Sequence, residues 1–189
     1  MSKAELTDEE VAKLVQGGDK ESFGELMKRY DAKLSRYGRK FLSSKENIGD
    51  MVQDIFISTY RNIQSFDTSL SFSSWIYRIA HNAFVNGLKK QKRSAIPIFD
   101  FDVFAPYSVY EDPEQTEREK NEVKEWIEKG LEKLETKYKE VIILHYIEDM
   151  SYKEISDIMQ VPVGTVGIRI KRGKEKLKEI YGNEEFYGK

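Results

Sequence analysis

Apolar residues recur every three to four positions along almost the whole chain, and apolar and polar residues nowhere alternate long enough to predict a strand. This spacing predicts an all-α protein. Thr7 and Glu10 form a capping box, which predicts a short first helix through Val15 that ends at Gly17 and Gly18.

Three longer amphipathic helices are predicted next, each with one apolar stripe that faces a core. The stripes are Phe23, Leu26, Met27, Tyr30, Leu34, Tyr37 and Phe41 in the first; Ile48, Val52, Ile55, Phe56, Thr59 and Ile63 in the second; and Phe72, Trp75, Ile76, Ile79 and Ala83 in the third. The third helix is predicted to run from about Ser71 to Arg93.

The helical periodicity disappears after residue 93, in a segment rich in aromatic residues, acids and prolines (IPIFDFDVFAPYSVYEDPE). We interpret residues 94–121 as a flexible acidic linker between a first domain, residues 1–93, and a second domain, residues 122–189. Because its aromatic side chains favour packing over water, we expect the linker to dock on a surface.

The second domain is predicted to contain a helix-turn-helix. A charged helix from about Glu114 to Glu135 leads into it, and an apolar helix follows around Val141 to Ile147. A capping box of Ser151 and Glu154 then opens a short helix, and the turn QVP joins that helix to a basic one from about Val163 to Ile180. Two helices joined by a three-residue turn are typical of this motif.

The composition removes most kinds of catalytic site. Without cysteine there are no disulfides, thiolate zinc sites or cysteine nucleophiles, and the two histidines, His81 and His145, are far apart in the sequence. We expect both to be ordinary structural residues. Carboxylates lie mainly at helix starts and on solvent faces, where no acid/base pair stands out. We therefore expect no catalytic residue, no metal and no cofactor.

Nothing in the sequence indicates a membrane or secretory segment. The longest apolar runs, such as Val141 to Leu144, fall far short of the roughly 20 residues that cross a bilayer. The N-terminus lacks the basic start and apolar stretch of a secretory signal. We expect a cytoplasmic protein.

The net charge of −2 is distributed unevenly. Residues 1–93 carry +4 (16 basic, 12 acidic), residues 94–121 carry −5 (2 basic, 7 acidic) and residues 122–189 carry −1 (13 basic, 14 acidic). Two dense basic clusters, Lys89 to Arg93 and Arg169 to Lys178, each lie at the end of a helical pattern.

The last predicted helix has two different sides. Its core side carries Val166, Ile170, Gly173 and Leu177, and its opposite side carries Gly164, Ile168, Lys171, Arg172 and Glu175. An isoleucine among cations is hard to explain as packing, whereas it could meet a thymine methyl while Arg or Lys reaches guanine or phosphate. This side predicts DNA binding; the alternative is a solvated helix end that complements the dipole.

The helix from Ser71 to Arg93 has a second, polar stripe beside Trp75. Its members are Arg78, Asn82, Asn86, Lys89 and Arg93. An aromatic ring, amides and cations in a row can stack a base, hydrogen-bond its edge and hold its backbone, which predicts a single-strand contact. In the alternative interpretation Trp75 belongs only to the core and the amides are only solvated.

The helix from Ile48 to Ile63 presents charged groups and one apolar residue opposite its core stripe. These residues are Asp50, Gln53, Asp54, Ile57 and Arg61. An apolar centre ringed by charges is typical of a protein docking patch, although single exposed apolar residues are common on any surface.

The motifs on these helices occur in a recognisable order. The first domain contains DKESFGELMKRY, GDMVQDIFISTYRNIQSFD and FSSWIYRIAHNAFVNGLKKQKR, and the second contains YKEVIILHYIEDMSYKEISDIMQVPVGTVGIRIKRGKEKLKEI. In this order they resemble the sigma-two and sigma-four domains of bacterial RNA polymerase sigma factors of the short, extracytoplasmic-function (ECF) type. The resemblance covers nearly the whole chain.

This resemblance implies three contact surfaces. The D-x-x-Q-[DE]-x-F helix implies docking on the clamp helices of the largest polymerase subunits by Asp50, Gln53, Asp54 and Phe56, to which the exposed face adds Ile57. The W-x-Y-R-I-x-x-N helix and the loop before it imply promoter melting and capture of a flipped base by Phe66, Trp75 and Asn82, with Lys89, Lys90 and Arg93 along the strand. The P-V-G-T-V helix implies reading of the upstream promoter element by Thr165, Ile168, Arg169, Lys171 and Arg172.

Three positions depart from the family pattern. Gly167 stands where a basic residue is common, Gln160 where glycine is frequent, and Glu135 where a proline often precedes the helix. The first removes an expected phosphate contact and lowers helix propensity by roughly 1 kcal/mol relative to alanine. The other two are compatible with the fold.

We therefore expect a promoter-specificity subunit, an alternative sigma factor without catalytic activity. Its expected partners are core RNA polymerase, promoter DNA and, as the family implies, an anti-sigma protein. Two alternatives remain open: a helix-turn-helix regulator that acts without polymerase docking, and a pure interaction module. The first leaves the Asp50 patch and the Trp75 stripe without a role, and the second does not need the cationic side of the last helix.

Overall fold

The computed structural model describes residues 3–39, 45–91, 123, 126, 127 and 130–187. These residues form seven α-helices and short 3-10 segments, with no strand among them, which confirms the predicted all-α fold. The chain divides into two compact units, Met1–Ile96 and Pro97–Lys189. The predicted linker, residues 94–121, lies outside the described ranges, so its boundaries stay a prediction.

The first unit is a bundle of four helices: α1 (Asp8–Gln16), α2 (Phe23–Gly38), α3 (Lys45–Asn62) and α4 (Phe72–Gln91). The predicted capping box opens α1, because the Glu10 N–H donates to Thr7 Oγ1 at 3.2 Å and the Thr7 N–H donates to Glu10 Oε2 at 2.8 Å. Each helix packs on at least two of the others, so the four enclose one core.

The core of this unit confirms the predicted stripes of α2 and α3. All six residues of the second predicted stripe are buried, five of them in α3 and Ile63 directly after it. The described stripe residues of α2 are buried too, except Met27, which is 39% exposed. Phe41 falls outside the described residues. The whole inner side of α3 is therefore part of the core.

The buried side of α4 is rotated relative to the prediction. It consists of Phe72, Ile76, Tyr77, Ala80 and Phe84. The residues predicted for the core but only half-buried are Trp75, Ile79 and Ala83. The reason is the Tyr37 ring of α2, which packs edge-on against Tyr77 and Phe84, with ring centroids 5.3 and 5.7 Å apart, and so turns that side of α4 inward.

The second unit contains α5 (Thr136–Tyr146), α6 (Tyr152–Met159) and α7 (Val163–Tyr187). Of the predicted charged helix before α5, the structure describes only a few residues, of which 123, 126, 127 and 130 are helical. The capping box of Ser151 and Glu154 opens α6 as predicted. The last helix is longer than predicted, since it continues beyond Ile180.

The turn between α6 and α7 confirms the helix-turn-helix. Gln160 ends α6 in the left-handed region, with φ 55° and ψ 43°, which explains why glycine is favoured at this position. Two side-chain bonds hold the turn: Gln160 Nε2 donates to Asp157 O at 2.6 Å, and Ser156 Oγ donates to Val161 O at 2.6 Å. Gln160 is therefore compatible with the fold, as expected.

Gly173, which the sequence places on the core side of the last helix, allows α7 to approach α5 closely. A Cβ atom at this position would lie 2.9 Å from Ile142 Cγ1 and 3.6 Å from Tyr138 Cβ. Ile142 is fully buried and has little freedom to move away. Gly182, in the same helix, has no such neighbour, because a Cβ there would meet nothing within 4 Å.

We predict opposite effects of alanine at these two glycines. In Gly173→Ala the overpacking outweighs the gain of about 1 kcal/mol in helix propensity, for a net loss of about 0.5–2 kcal/mol. In Gly182→Ala only the propensity acts, for a gain of up to about 1 kcal/mol. Urea unfolding followed by circular dichroism measures both. Equal changes in the free energy of unfolding of the two variants would show that α5 and α7 do not meet closely at Gly173.

Candidate functional site

The outer side of α3 is exposed over three turns. Asp50, Gln53 and Asp54 are exposed there, and Ile57 is 49% exposed. Tyr60, which the sequence pattern did not indicate, extends the same side and is 37% exposed. We call these five residues the α3 face. An apolar centre flanked by carboxylates is therefore displayed on a helix whose other side is locked in the core.

Phe56 does not belong to the α3 face, so its predicted role as a direct docking residue is wrong. The side chain is only 4% exposed and packs edge-on against Phe23, with ring centroids 6.5 Å apart. The cause is its position in the inner stripe of α3, beside Ile55. Phe56 supports the α3 face from beneath instead of meeting a partner.

Phe66, Phe72 and Trp75 form an aromatic cluster where the loop between α3 and α4 enters α4. Ring centroids are 5.4 Å apart for Phe66 and Phe72, 5.0 Å for Phe66 and Trp75, and 5.7 Å for Phe72 and Trp75. Phe66 is only 5% exposed, which contradicts its predicted direct contact with a base. Its ring is covered by the neighbouring rings, so half-buried Trp75 is the member open to a ligand.

A groove of about 320 Å³ separates α3 from α4. Ile79 and Ala83 contribute apolar surface to it, and Asp54, Asn82 and Asn86 contribute polar groups. Asn82 and Asn86 are exposed, as predicted. The structure thus brings the predicted amide stripe of α4 next to an acid of the α3 face. Lys89 and Lys90 lie in α4, but their side chains, like the whole of Arg93, are outside the described part.

The loop between α3 and α4 is held in a defined turn. Asp67 Oδ1 accepts the backbone N–H of Ser69 at 2.9 Å and its hydroxyl at 2.8 Å, and these bonds hold the pKa of the Asp67 carboxyl below its usual value. The Leu70 N–H donates to Asp67 O at 3.0 Å. The turn leaves Leu70 62% exposed, a feature that the helical pattern could not indicate.

Helix α1 is bonded to both ends of this loop. At the loop start, Gln16 Nε2 donates to Ile63 O at 2.7 Å and to Phe66 O at 2.8 Å. At the loop end, Glu9 Oε1 accepts the Phe72 N–H at 2.9 Å. Neither residue could be identified from the sequence, because these bonds join positions about fifty residues or more apart and leave no local pattern.

Helix α1 is in turn fixed to α2 by a half-buried polar network. Asp8 accepts from Arg29 Nη1 at 2.7 Å and from the Tyr30 hydroxyl at 2.5 Å. The Asp8 bond raises the pKa of the Arg29 guanidinium, and burial, reinforced by Asp8, raises the pKa of the Tyr30 phenol. At neutral pH both groups keep their protons, so the network stays intact.

The start of α7 differs from the predicted DNA-reading side. Thr165, Ile168 and Arg169 are only 4%, 9% and 4% exposed, so Ile168 does not face outward as the helical pattern predicts. Residues 165–170 are all buried, and six consecutive positions span more than one helical turn. Residues on every side of the helix are therefore buried here, which the single core stripe of the sequence pattern does not predict. Burial also lowers the pKa of the Arg169 guanidinium.

Lys171 and Arg172 are the two predicted upstream-element residues that are exposed in this structure. They lie one turn further along α7, after the enclosed segment. Of the five residues predicted for this surface, these two are therefore the ones that the structure places at the surface.

The described residues offer no metal site. No group of three or more potential metal-ligating side chains occurs among them. His145 has the structural role that the sequence predicts: its Nδ1 lies 2.9 Å from Met150 O, and its ring packs edge-on against Tyr146 and Tyr152. Within the described ranges, no helix has both the length and the apolar character that a membrane span requires.

Comparison with known proteins matches both units. The family model described as Sigma-70 region 2 matches residues 26–94, and the one described as Sigma-70, region 4 matches residues 124–177. The ECF RNA polymerase sigma factor SigW of Bacillus subtilis (strain 168) is 33% identical over 174 residues, 88% of this chain and 92% of that protein. The ECF RNA polymerase sigma-E factor of Escherichia coli (strain K12) is 32% identical over 180 residues, 92% of this chain and 93% of that protein.

Two solved structures share the fold. CnrH, in complex with the cytosolic domain of CnrY, matches with a TM-score of 0.68 and 25% identity, over 94% of this chain and 98% of that one. The sigma factor RpoE, in complex with the anti-sigma factor NepR from Bartonella quintana, matches with a TM-score of 0.61 and 23% identity, over 85% of this chain and 96% of that one.

We predict that Ile168 acts in stability and Lys171 does not. Because Ile168 is buried, Ile168→Ala should lower the free energy of unfolding by about 2–5 kcal/mol. Lys171→Ala, one turn away and exposed, should change it by no more than about 0.5 kcal/mol. Both values come from urea unfolding of the full chain. A negligible effect of Ile168→Ala would place that side chain on the solvent side, where the helical wheel predicts it.

Proposed function

The chain belongs to the ECF sigma factors of bacterial RNA polymerase, and we propose that its two units act as separate contact modules of this promoter-specificity subunit. As an alternative sigma factor it binds core polymerase, recognises promoter DNA and serves in transcription initiation. The proposal assigns polymerase docking and melting to residues 1–93, a connecting role to residues 94–121, and upstream-element recognition to residues 122–189.

One observation carries the proposal: the α3 face is exposed on a helix whose inner side is entirely core. A regulator that used only its helix-turn-helix would need no such face, and the region 2 match over residues 26–94 would have no role in it. Ile57 and Tyr60 can supply buried apolar contact, while Asp50 and Asp54 set the register against cations of the polymerase. Gln53 can bond to either kind of partner group.

Strand opening is assigned to the aromatic cluster and the groove beside it. An unstacked base can stack on the open side of Trp75, and the Asn82 and Asn86 amides can bond to its edge. Phe66 contributes by holding Trp75 in place from beneath. Because Asp54 borders the same groove, a polymerase contact at the α3 face lies next to the site of strand capture.

Upstream recognition is assigned first to Lys171 and Arg172. Both are exposed and can meet phosphate or a guanine edge in the major groove. Thr165, Ile168 and Arg169 are buried, so their part in upstream recognition stays a prediction. The net charge of −2 opposes binding of the free protein to DNA, so we expect tight, salt-sensitive attachment only in the presence of polymerase.

The remaining partners follow from the same assignment. We propose an anti-sigma protein as an inhibitor, because the family resemblance implies one. We also propose that the chain has no catalytic activity of its own and works in the cytoplasm, where bacterial polymerase acts.

The docking assignment predicts loss of core binding when the α3 face is reversed in charge. Gln53→Ala combined with Asp54→Arg should abolish co-purification with core polymerase, since it removes a bond and places a cation against cations. The matched control is Asp31→Arg, an exposed acid on α2 that should leave binding unchanged. Circular dichroism checks that both variants keep their helices. Retained core binding by the double variant would remove polymerase docking from the α3 face.

The two DNA surfaces are predicted to act at different steps. Arg172→Ala should weaken the closed complex by about 1–3 kcal/mol if the side chain reads a base. Asn82→Ala should leave the closed complex nearly intact and reduce the open complex, because a flipped base exists only after the strands part. A pre-melted bubble template should not restore base preference to that variant.

Gel shift with the holoenzyme reports the closed complex, and permanganate footprinting reports the open one. A defect of equal size in the closed complex for both variants would contradict the division of roles between the units.

A further inference from the structure

Helix α1 meets the loop between α3 and α4 at two points that lie on either side of its turn. Gln16 binds the carbonyl groups of Ile63 and Phe66, and Glu9 binds the N–H of Phe72. Two of these three backbone groups belong to members of the aromatic cluster. The link is reciprocal, since Gln64 Nε2 also donates to Gln16 O at 3.2 Å.

These bonds add to those that the loop makes with residues near it in sequence. Local bonds of residues 66–71 are the Phe66 N–H to Ile63 O, the Asp67 turn with its link to Ser69, and the bonds that Ser71 accepts from the Ser74 and Trp75 N–H groups. Gln16 and Glu9 add bonds from a separate helix at the entry and exit of the loop. A backbone carbonyl that accepts a side-chain amide is fixed in direction as well as position. Gln16 therefore sets where Phe66 lies, and Phe66 in turn lies 5.0 Å from the Trp75 ring.

Helix α1 is itself held in place by bonds to α2. Asp8, at the start of α1, is bonded to Arg29 and Tyr30 of α2, and Arg29 Nη1 also donates to Leu6 O at 2.9 Å. Tyr30 is only 1% exposed and packs edge-on on Phe72, with ring centroids 5.5 Å apart. A displacement of α1 would therefore reach the aromatic cluster in two ways. One is through the bonds of Gln16 and Glu9 to the loop, and the other is through Tyr30, which packs on Phe72.

We propose that Gln16 and Glu9 are positioning residues for base capture, which hold the loop between α3 and α4 so that Trp75 is presented in one orientation. The inference rests on the proposed function in that the captured ligand is an unpaired promoter base. Neither residue needs to touch DNA. Loss of either bond should let the loop take several shapes, so that base capture weakens and loses selectivity while polymerase docking persists.

The experiment compares Gln16→Met, which keeps the shape of the side chain but removes its donors, with Glu9→Ala and Glu9→Gln. Glu9→Gln keeps an oxygen that can accept the Phe72 N–H, so it should behave like the unaltered protein. Lys13→Ala, an exposed change on the same helix, is the surface control. Core binding and the thermal midpoint are measured for each variant.

Two readouts separate positioning from mere stability. The first is acrylamide quenching of Trp75 fluorescence in a Trp126→Phe background, which needs neither polymerase nor DNA. The second is transcription by the holoenzyme from pre-melted bubble templates that carry each of the four bases at the captured position. For Gln16→Met and Glu9→Ala we expect stronger quenching, core binding within about twofold of normal and a loss of base preference of about tenfold.

Unchanged quenching and unchanged base preference in both variants would overturn the proposal, and so would a Glu9→Gln variant as impaired as Glu9→Ala. If Gln16→Met unfolds at the assay temperature, the comparison of Glu9→Ala with Glu9→Gln tests the proposal. Of these two variants, only Glu9→Gln can still accept the Phe72 N–H. Failure of the unaltered holoenzyme to prefer any base would count against the proposed function, whereas quenching would still report on the loop.

Discussion

Burial of one side of α3 is the constraint on which the rest of the first unit depends. All six residues of its inner stripe are buried, and each large apolar side chain contributes about 1.5–3 kcal/mol by leaving water. The polar member, Thr59, is satisfied by donating to Ile55 O at 2.7 Å. With that side fixed, the orientation of the opposite side follows, and so Asp50, Asp54 and Ile57 are displayed at set positions without help from the loops.

The same packing brings together two surfaces that are separate patterns in the sequence. In the sequence the acids of α3 and the amides of α4 are distinct patterns on different helices. In the structure Asp54, Asn82 and Asn86 border one groove, because α3 and α4 lie side by side along their length. A sigma factor must dock on polymerase and open DNA in one complex, and the two surfaces that we propose for these contacts lie on one pair of neighbouring helices.

Local rules predicted much of the fold and a smaller part of the site. Both capping boxes, the stripes of α2 and α3, the close approach at Gly173 and the short turn before α7 depend on residues near one another in sequence. The buried positions of Phe66 and Ile168 could not be predicted in this way, since they depend on which surfaces cover a loop and a helix start. The role of Gln16 could not be predicted either, because its acceptors lie 47 and 50 residues away in the sequence.

Run-off transcription with purified core polymerase on a library of randomised promoters tests the central claim most directly. Added to core enzyme, the chain should yield transcripts from a small subset of templates that share an upstream element and a start-proximal element, and it should yield none without core enzyme. Stable binding to core polymerase with no promoter-selective transcription would contradict the assignment of this chain as a specificity subunit.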